Sequence, residues 1–325
     1  MSHSRSRISD AQGAGDVATR VHLLDDGPRI DVARMRDVFA RARSLFLVDA
    51  PRARASGAVH RLYWGREGQL FSRELRSAPG DFAVAGRHSR CDLRLLDAEV
   101  SLRHALVQGT RLRDGRHVLR ILDLRAALPF HLADDEPRRS IVATGPVVAR
   151  IGRWVLVAFP LDGSTPPPEP PPVEVADVPD LSSALRSNPD ESSVSSRISV
   201  IPASTVITEL PSDLAAGDAA ITVTRGHLRA RVAVRAEDLE RGVLIGRASR
   251  CLDAGIRDVL DTHISRAHLL LLSEGPEVFA YDLCSTNGTH VDGRRVRTTL
   301  LSRRGAELQL GRRSGVAITY RQRSE

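Results

Sequence analysis

The chain has 325 residues, 42% of them hydrophobic and 27% charged, enough for conventional cores and, by length, for two domains. No run approaches the roughly 18 uninterrupted apolar residues of a membrane-spanning helix, which excludes membrane insertion. The polar opening, residues 1–20, has no secretory-signal pattern. Three cysteines, far apart and odd in number, make no disulfide framework, and no Cys/His cluster has metal-ligand spacing. A cytoplasmic protein without metal or cofactor is expected.

The net charge of +7 invites a nucleic-acid reading, yet all 47 basic residues are Arg and none is Lys. A coding bias explains such uniformity as well as phosphate binding does. The arginines are scattered among acids, and aromatics that could stack on bases are only 4% of residues. Nucleic acid is therefore not an expected partner.

In chain order, residues 1–30 show no apolar period and are expected to be disordered. From Asp31 to Phe46, Val32, Met35, Val38, Phe39 and Ala42 recur at steps of three and four, with arginines elsewhere on the wheel. This predicts an amphipathic helix packed on the domain that follows. Residues 47–162 form the first globular unit. Residues 163–200 hold 8 of the 18 prolines and 9 serines and carry a negative balance, the composition of a disordered linker. Residues 201–325 form the second unit.

The two units are copies. Gly86-Arg87-His88-Ser89-Arg90-Cys91 recurs as Gly246-Arg247-Ala248-Ser249-Arg250-Cys251, and Ser101-Leu102-Arg103-His104 as Ser265-Arg266-Ala267-His268. Asp123-Leu124 matches Asp282-Leu283, and Ile151-Gly152-Arg153 matches Leu310-Gly311-Arg312. Between these landmarks lie short apolar or alternating runs such as Arg231–Val234, Leu269–Leu272, Val278–Tyr281 and Val316–Tyr320. Turn signals bound them, including Arg113-Asp114-Gly115-Arg116 and Val291-Asp292-Gly293-Arg294. The pattern predicts an all-β fold: two β-sandwiches, a Pro/Ser-rich linker and one N-terminal helix.

In the second copy Gly-Arg is followed by Ser-x-x-His, then Ser-Thr-Asn-Gly-Thr, then a hairpin glycine, then Leu-Gly. This order resembles the forkhead-associated (FHA) family, β-sandwiches that bind phosphothreonine in short peptides, over roughly residues 220–323. A phosphothreonine offers nearly two negative charges and three acceptor oxygens, so its site needs a guanidinium and hydroxyl and amide donors converging from loops. The resemblance implies Arg247 as the phosphate-binding arginine, with Ser265 and Thr286 as hydroxyl donors and Arg266 as a second cation or amide donor. It implies Asn287 as the holder of the peptide main chain. Gly246, His268 and Gly288 are implied as structural support. Cys91 and Cys251 are read as small buried hydrophobes.

The first copy keeps Arg87, Ser101 and His104 but has Arg125-Ala126-Ala127-Leu128-Pro129-Phe130 where the second has Cys284-Ser285-Thr286-Asn287-Gly288-Thr289. The hydroxyl, the side-chain amide and the turn glycine are lost, so this copy is expected to keep the fold without the phosphopeptide grip. No nucleophile, acid or phosphate-cradling loop marks an enzyme, and no catalytic residue is expected. The expected function is a signalling adaptor downstream of Ser/Thr kinases. Its partners would be threonine-phosphorylated proteins, either such a kinase or its substrate. The alternative is a phosphate-independent scaffold that uses both sandwiches as interaction surfaces.

Overall fold

The computed structural model describes residues 20–23, 35–66, 68–77, 81–111, 117–132, 137–161, 219–251, 254–274, 277–301 and 306–322. The linker 163–200, residues 201–218 and most of 1–30 lie outside the described residues. No helix among those described is long and apolar enough to cross a membrane.

The first unit begins with β1 (Arg20–Leu23), α1 (Met35–Ala55), β2 (His60–Arg66) and β3 (Gln69–Leu75). Then come β4 (Phe82–Gly86), β5 (Leu93–Arg94), β6 (Ala105–Arg111) and β7 (His117–Asp123). It closes with β8 (Phe130–Leu132), β9 (Pro137–Arg138), β10 (Ser140–Ala143), β11 (Val147–Ile151) and β12 (Trp154–Pro160). The second unit runs β13 (Ala219–Arg225), β14 (Leu228–Val234), α2 (Ala236–Arg241), β15 (Val243–Ile245), α3 (Ala254–Val259) and β16 (Leu269–Glu274). It ends with β17 (Glu277–Asp282), β18 (Thr289–Val291), β19 (Arg294–Val296), β20 (Thr298–Leu301), β21 (Ala306–Leu310) and β22 (Val316–Gln322).

The sheets bear out the repeat strand by strand. One sheet of the first unit has the order β1-β3-β2-β12-β11-β8-β9, and its counterpart has β14-β13-β22-β21-β18-β19. The other pair reads β10-β7-β6-β4-β5 against β20-β17-β16-β15. Without β1 and β5 the two orders are identical. The Asp292-Gly293 hairpin forms between β18 and β19, with both residues at positive φ (49° and 74°) as a type I′ turn demands.

Two expectations need correction. Residues 20–23, inside the stretch expected to be disordered, pair antiparallel with β3, whose edge offers unpaired N–H and C=O groups. The helix, expected to stop at Phe46, continues to Ala55, because Ala50 and Ala53 prolong its buried stripe with side chains too small to mark a hydropathy pattern. That stripe lies on Tyr63, Val155, Val157 and Phe159, with Phe46 and Phe159 ring centroids 4.8 Å apart. Buried Arg61 ties the helix down through Asp49 at 2.9 Å and Glu74 at 3.0 Å. The N-terminal helix is present as expected, and the second unit adds two six-residue helices, α2 and α3. Each is too short to show a helical period.

The units are not independent beads. Alternate residues of β16 serve two cores: Leu269 and Leu271 join the interior of the second sandwich, whereas Leu270 and Leu272 join a separate layer between the units. In the same way β17 sends Val278 and Ala280 inward and Phe279 and Tyr281 outward. From the first unit Phe82, Val84, Leu106, Leu122 and Leu124 complete this layer. Phe82 meets Tyr281 edge-on at 5.1 Å, and Arg297 covers the Phe82 ring at 4.7 Å while binding Asp92 at 2.9 and 2.7 Å. Gln108 Nε2 donates to Tyr281 Oη at 3.0 Å and to Glu274 at 2.5 Å.

This shared layer makes the halves mutually stabilising. Leu270→Ala in the second unit opens a cavity in it, at a cost of about 2–5 kcal/mol. The chain has two tryptophans, Trp64 and Trp154, both in the first unit. Their fluorescence is therefore expected to report a lower urea midpoint in Leu270→Ala than in wild type. A first-unit transition that stays at the wild-type midpoint would show instead that the halves unfold separately.

Candidate functional site

Three loops of the second unit meet at one end of its sandwich: the turn after β15, the loop between α3 and β16, and the loop joining β17 to β18. Gly246 closes β15. A Cβ there would lie 2.3 Å from the Arg266 carbonyl oxygen, so only glycine lets the first two loops touch. The contact is sealed by Arg247 N–H to Ser265 O (3.3 Å) and Ala248 N–H to Arg266 O (3.0 Å).

The exposed Arg247 guanidinium is fixed by a bond from Nε to the Ile264 carbonyl at 2.7 Å, which leaves its two terminal nitrogens unengaged. Ser265 is nearly buried, and its Oγ accepts the Thr286 N–H at 3.0 Å. Its hydroxyl proton remains to be donated. Thr286 and Asn287 are exposed beside it. Asn287 Nδ2 donates to the His263 carbonyl at 2.7 Å, so the side-chain oxygen remains available as an acceptor. Arg266 is exposed, and the fold uses its carbonyl, which accepts from Ala248 and from Cys251 Sγ. The structure thus brings together the loops that carry Arg247, Ser265, Arg266, Thr286 and Asn287, and Arg266 has its side chain exposed.

Beneath them His268 is fully buried and joins two loops. Its Nδ1 accepts the Ser265 N–H and its Nε2 lies 3.3 Å from the Gly288 carbonyl, the pattern of a neutral ring protonated on Nε2. Burial pushes its pKa down to about 4. Gly288 takes a φ of 77°, and a Cβ there would come within 2.6 Å of Arg295 Nε. A network that the sequence reading missed lies alongside. Asp282 accepts the Ser285 N–H at 2.8 Å, the Ser285 hydroxyl at 2.6 Å and the Thr289 hydroxyl at 2.8 Å. Its signal was present in the Ser-Thr-Asn-Gly-Thr run, whose first and last residues face inward.

The first unit preserves this support and lacks its outer surface. Ser101 N–H reaches His104 Nδ1 at 3.3 Å and Ala126 N–H reaches Asp123 at 2.7 Å, as their counterparts do. Arg125 and Cys284 even share positive φ, 56° and 54°. Ala127 and Leu128 stand where Thr286 and Asn287 stand, and buried His104 Nε2 has no partner where His268 finds the Gly288 carbonyl. Cys91 and Cys251 are buried, and desolvation raises their thiols to about 12 and about 11. Among the described residues no group of three His, Cys, Asp or Glu side chains could hold a metal ion.

Residues 243–311 match the family model of the FHA domain. Among solved structures, the chain is similar to one from a structural and functional analysis of phosphothreonine-dependent FHA domain interactions. The identity is 30%, over 33% of this chain and 99% of that one, with a TM-score of 0.27. The Mycobacterium tuberculosis Rv1747 FHA-1 domain is 24% identical, over 33% of this chain and 98% of that one, with a TM-score of 0.25. The FhaA FHA domain complexed with the intracellular domain of Rv3910 is 20% identical, over 30% and 98%, also with a TM-score of 0.25. No curated relative matches the chain.

Neutral burial of His268 fixes the sign of a pH effect. A histidine held at about 4 when folded takes up its proton near 6.5 when unfolded, so the unfolded chain binds more protons between those values. The stability is complete above 6.5 and is lost as pH falls towards 4. Between pH 7 and 5 this one residue contributes a loss of about 2 kcal/mol. Urea unfolding at the two pH values is expected to show a drop that His268→Gln makes smaller by about that amount. An equal drop in both proteins would place the titrating groups elsewhere.

Proposed function

We propose that this chain, whose residues 243–311 form an FHA domain and whose first unit is an FHA-like sandwich of the same strand order, is a non-enzymatic adaptor that docks threonine-phosphorylated proteins. Arg247 pairs with the phosphate, Ser265 and Thr286 donate hydroxyls to it, Arg266 adds positive charge at the rim, and Asn287 holds the peptide main chain. The observation that carries this reading is the Arg247 side chain, fixed through Nε to the Ile264 carbonyl on a turn whose main chain is bonded to Ser265, with both terminal nitrogens left unengaged. A planar fork held open next to hydroxyl donors suits a phosphate dianion. The threonine-phosphorylated partner makes the adaptor a downstream element of a Ser/Thr kinase pathway.

A phosphate-independent scaffold is the weaker reading. One sheet face of each unit that it could use on partners is already apposed to the other within the chain.

Arg247→Ala is expected to weaken phosphothreonine-peptide binding at least about tenfold, since each charge-assisted bond contributes roughly 1.5–3 kcal/mol. Arg247→Lys restores part of it, because an ammonium cannot form the fork. Affinity is expected to decline as pH falls through about 6, where the phosphate takes up its second proton. Titration calorimetry on the full chain, against phosphorylated and unphosphorylated peptides, decides the matter. Equal binding by Arg247→Ala would refute the assignment.

In the first unit, Arg87→Ala is expected to leave that affinity unchanged. Leu128 in the place of Asn287 offers no hydrogen bond to a peptide. An Arg87-dependent affinity in the same titrations would count against a phospho-blind first unit.

A further inference from the structure

The loop that presents Thr286 and Asn287 is held from the first unit. Arg90 Nη1 donates to the Thr286 carbonyl at 2.5 Å and to the Ser285 carbonyl at 3.3 Å. Arg103 Nη2 donates to the Cys284 carbonyl at 2.6 Å, and its Nε donates to the Leu283 carbonyl. Four consecutive carbonyls, 283 to 286, are thereby taken by two guanidinium groups of the degenerate copy.

The arrangement is lopsided. In the opposite direction Arg250, the counterpart of Arg90, donates to the Arg125 carbonyl at 2.9 Å, and Arg125 returns a bond to the Arg250 carbonyl at 2.6 Å. Arg103 has no such counterpart, because its place in the second copy is Ala267. Arg103 is buried, 3% exposed, and a buried cation is tolerated only where acceptors surround it. Here the acceptors are the main chain of the other unit's loop. A side chain of this kind fixes a loop more firmly than a solvated arginine does, since leaving the carbonyls would strand its charge.

We infer that the first unit is a built-in positioning partner of the phosphothreonine site, with Arg90 and Arg103 holding loop 283–286 in its ligand-ready form. The inference rests on the reading that this loop binds phosphopeptide. Neither arginine is given a contact with the ligand. Their effect runs through the placement of Thr286 and Asn287, whose ordering would otherwise be a cost charged to each binding event. The first unit has lost the side chains that face a peptide, yet it keeps the sheet face and the two arginines that reach the second unit. Support of this loop accounts for both.

The test uses the full chain. Arg90 is exposed, so Arg90→Ala is expected to keep the wild-type melting temperature and still bind a phosphothreonine peptide about fivefold more weakly by calorimetry. Arg90→Lys, which retains a donor, recovers most of that loss. Arg87→Ala removes the same charge from the same turn without touching the loop and changes nothing, which separates positioning from long-range attraction. Amide hydrogen exchange at residues 284–287 of the peptide-free protein is expected to quicken in Arg90→Ala. Arg103→Met, which keeps the buried stem, is expected to weaken binding further.

If Arg90→Ala and Arg103→Met bind as wild type does while Arg247→Ala does not, the positioning role is refuted and the phosphothreonine reading stands. If Arg90→Ala and Arg87→Ala weaken binding equally, charge rather than placement is at work and the inference falls. If Arg247→Ala itself binds normally, the reading beneath it fails and takes the inference with it.

Discussion

Exclusion of water between two sheet faces governs this molecule. A sheet in an ordinary sandwich buries one side and wets the other, whereas β4, β6, β16 and β17 bury both. Parted from its neighbour, the second unit would expose Leu244, Leu270, Leu272, Phe279 and Tyr281 together, an apolar patch that a lone soluble domain rarely carries. Apolar contact is indifferent to direction, so the polar rim supplies the alignment. The Gln108–Tyr281 bond and the Arg103–carbonyl bonds each satisfy a buried group that a slipped docking would leave without that partner, and the Asp92–Arg297 fork adds a directional contact at the edge.

The two copies show which parts of a binding site belong to the fold and which to the ligand. Gly86 and Gly246 serve the same close approach of backbones, with a Cβ coming within 2.4 and 2.3 Å of the facing carbonyl. His104 and His268, and likewise Asp123 and Asp282, organise the loop from below in both copies. These residues survive where the outer ones do not, because removing them would leave main-chain donors unpaired inside the protein. Thr286 and Asn287 are exposed, so Ala127 and Leu128 can stand in their places without burying an unpaired polar group. The exposed side chains can therefore differ between the copies while the scaffold under them stays in place.

Much of this was legible in the sequence. Alternating apolar runs, the Asp292-Gly293 turn and the ordered repeat landmarks gave strands, hairpin and duplication, because period and turn chemistry are local properties. The residues of the candidate site were legible as a motif, and the structure brings the three loops that carry it together. The helix ending was not, since Ala50 and Ala53 carry a weak signal, and α2 and α3 are shorter than any helical window. The shared layer left a trace that passed as an ordinary strand: Leu269 to Leu272 are apolar at all four positions, where a strand with one wet face alternates. The roles of Arg90 and Arg103 were hidden by abundance. With 47 arginines present, composition cannot mark the two whose acceptors lie some 180 to 200 positions away.

Arg90 reaches Ser285 and Thr286, and Arg250, its counterpart, reaches back to Arg125. Equivalent side chains thus grip equivalent loops in opposite directions, which is the geometry of an isologous two-fold dimer. Here both partners lie on one chain. A homodimer must make every substitution twice, once in each subunit, so its interface stays symmetric whatever changes. A chain that carries both subunits is released from that rule. Arg103 opposite Ala267 is a change made on one side only, and so is Leu128 opposite Asn287. Fusion is what allows the two halves to differ residue by residue across a single pseudo-symmetric seam.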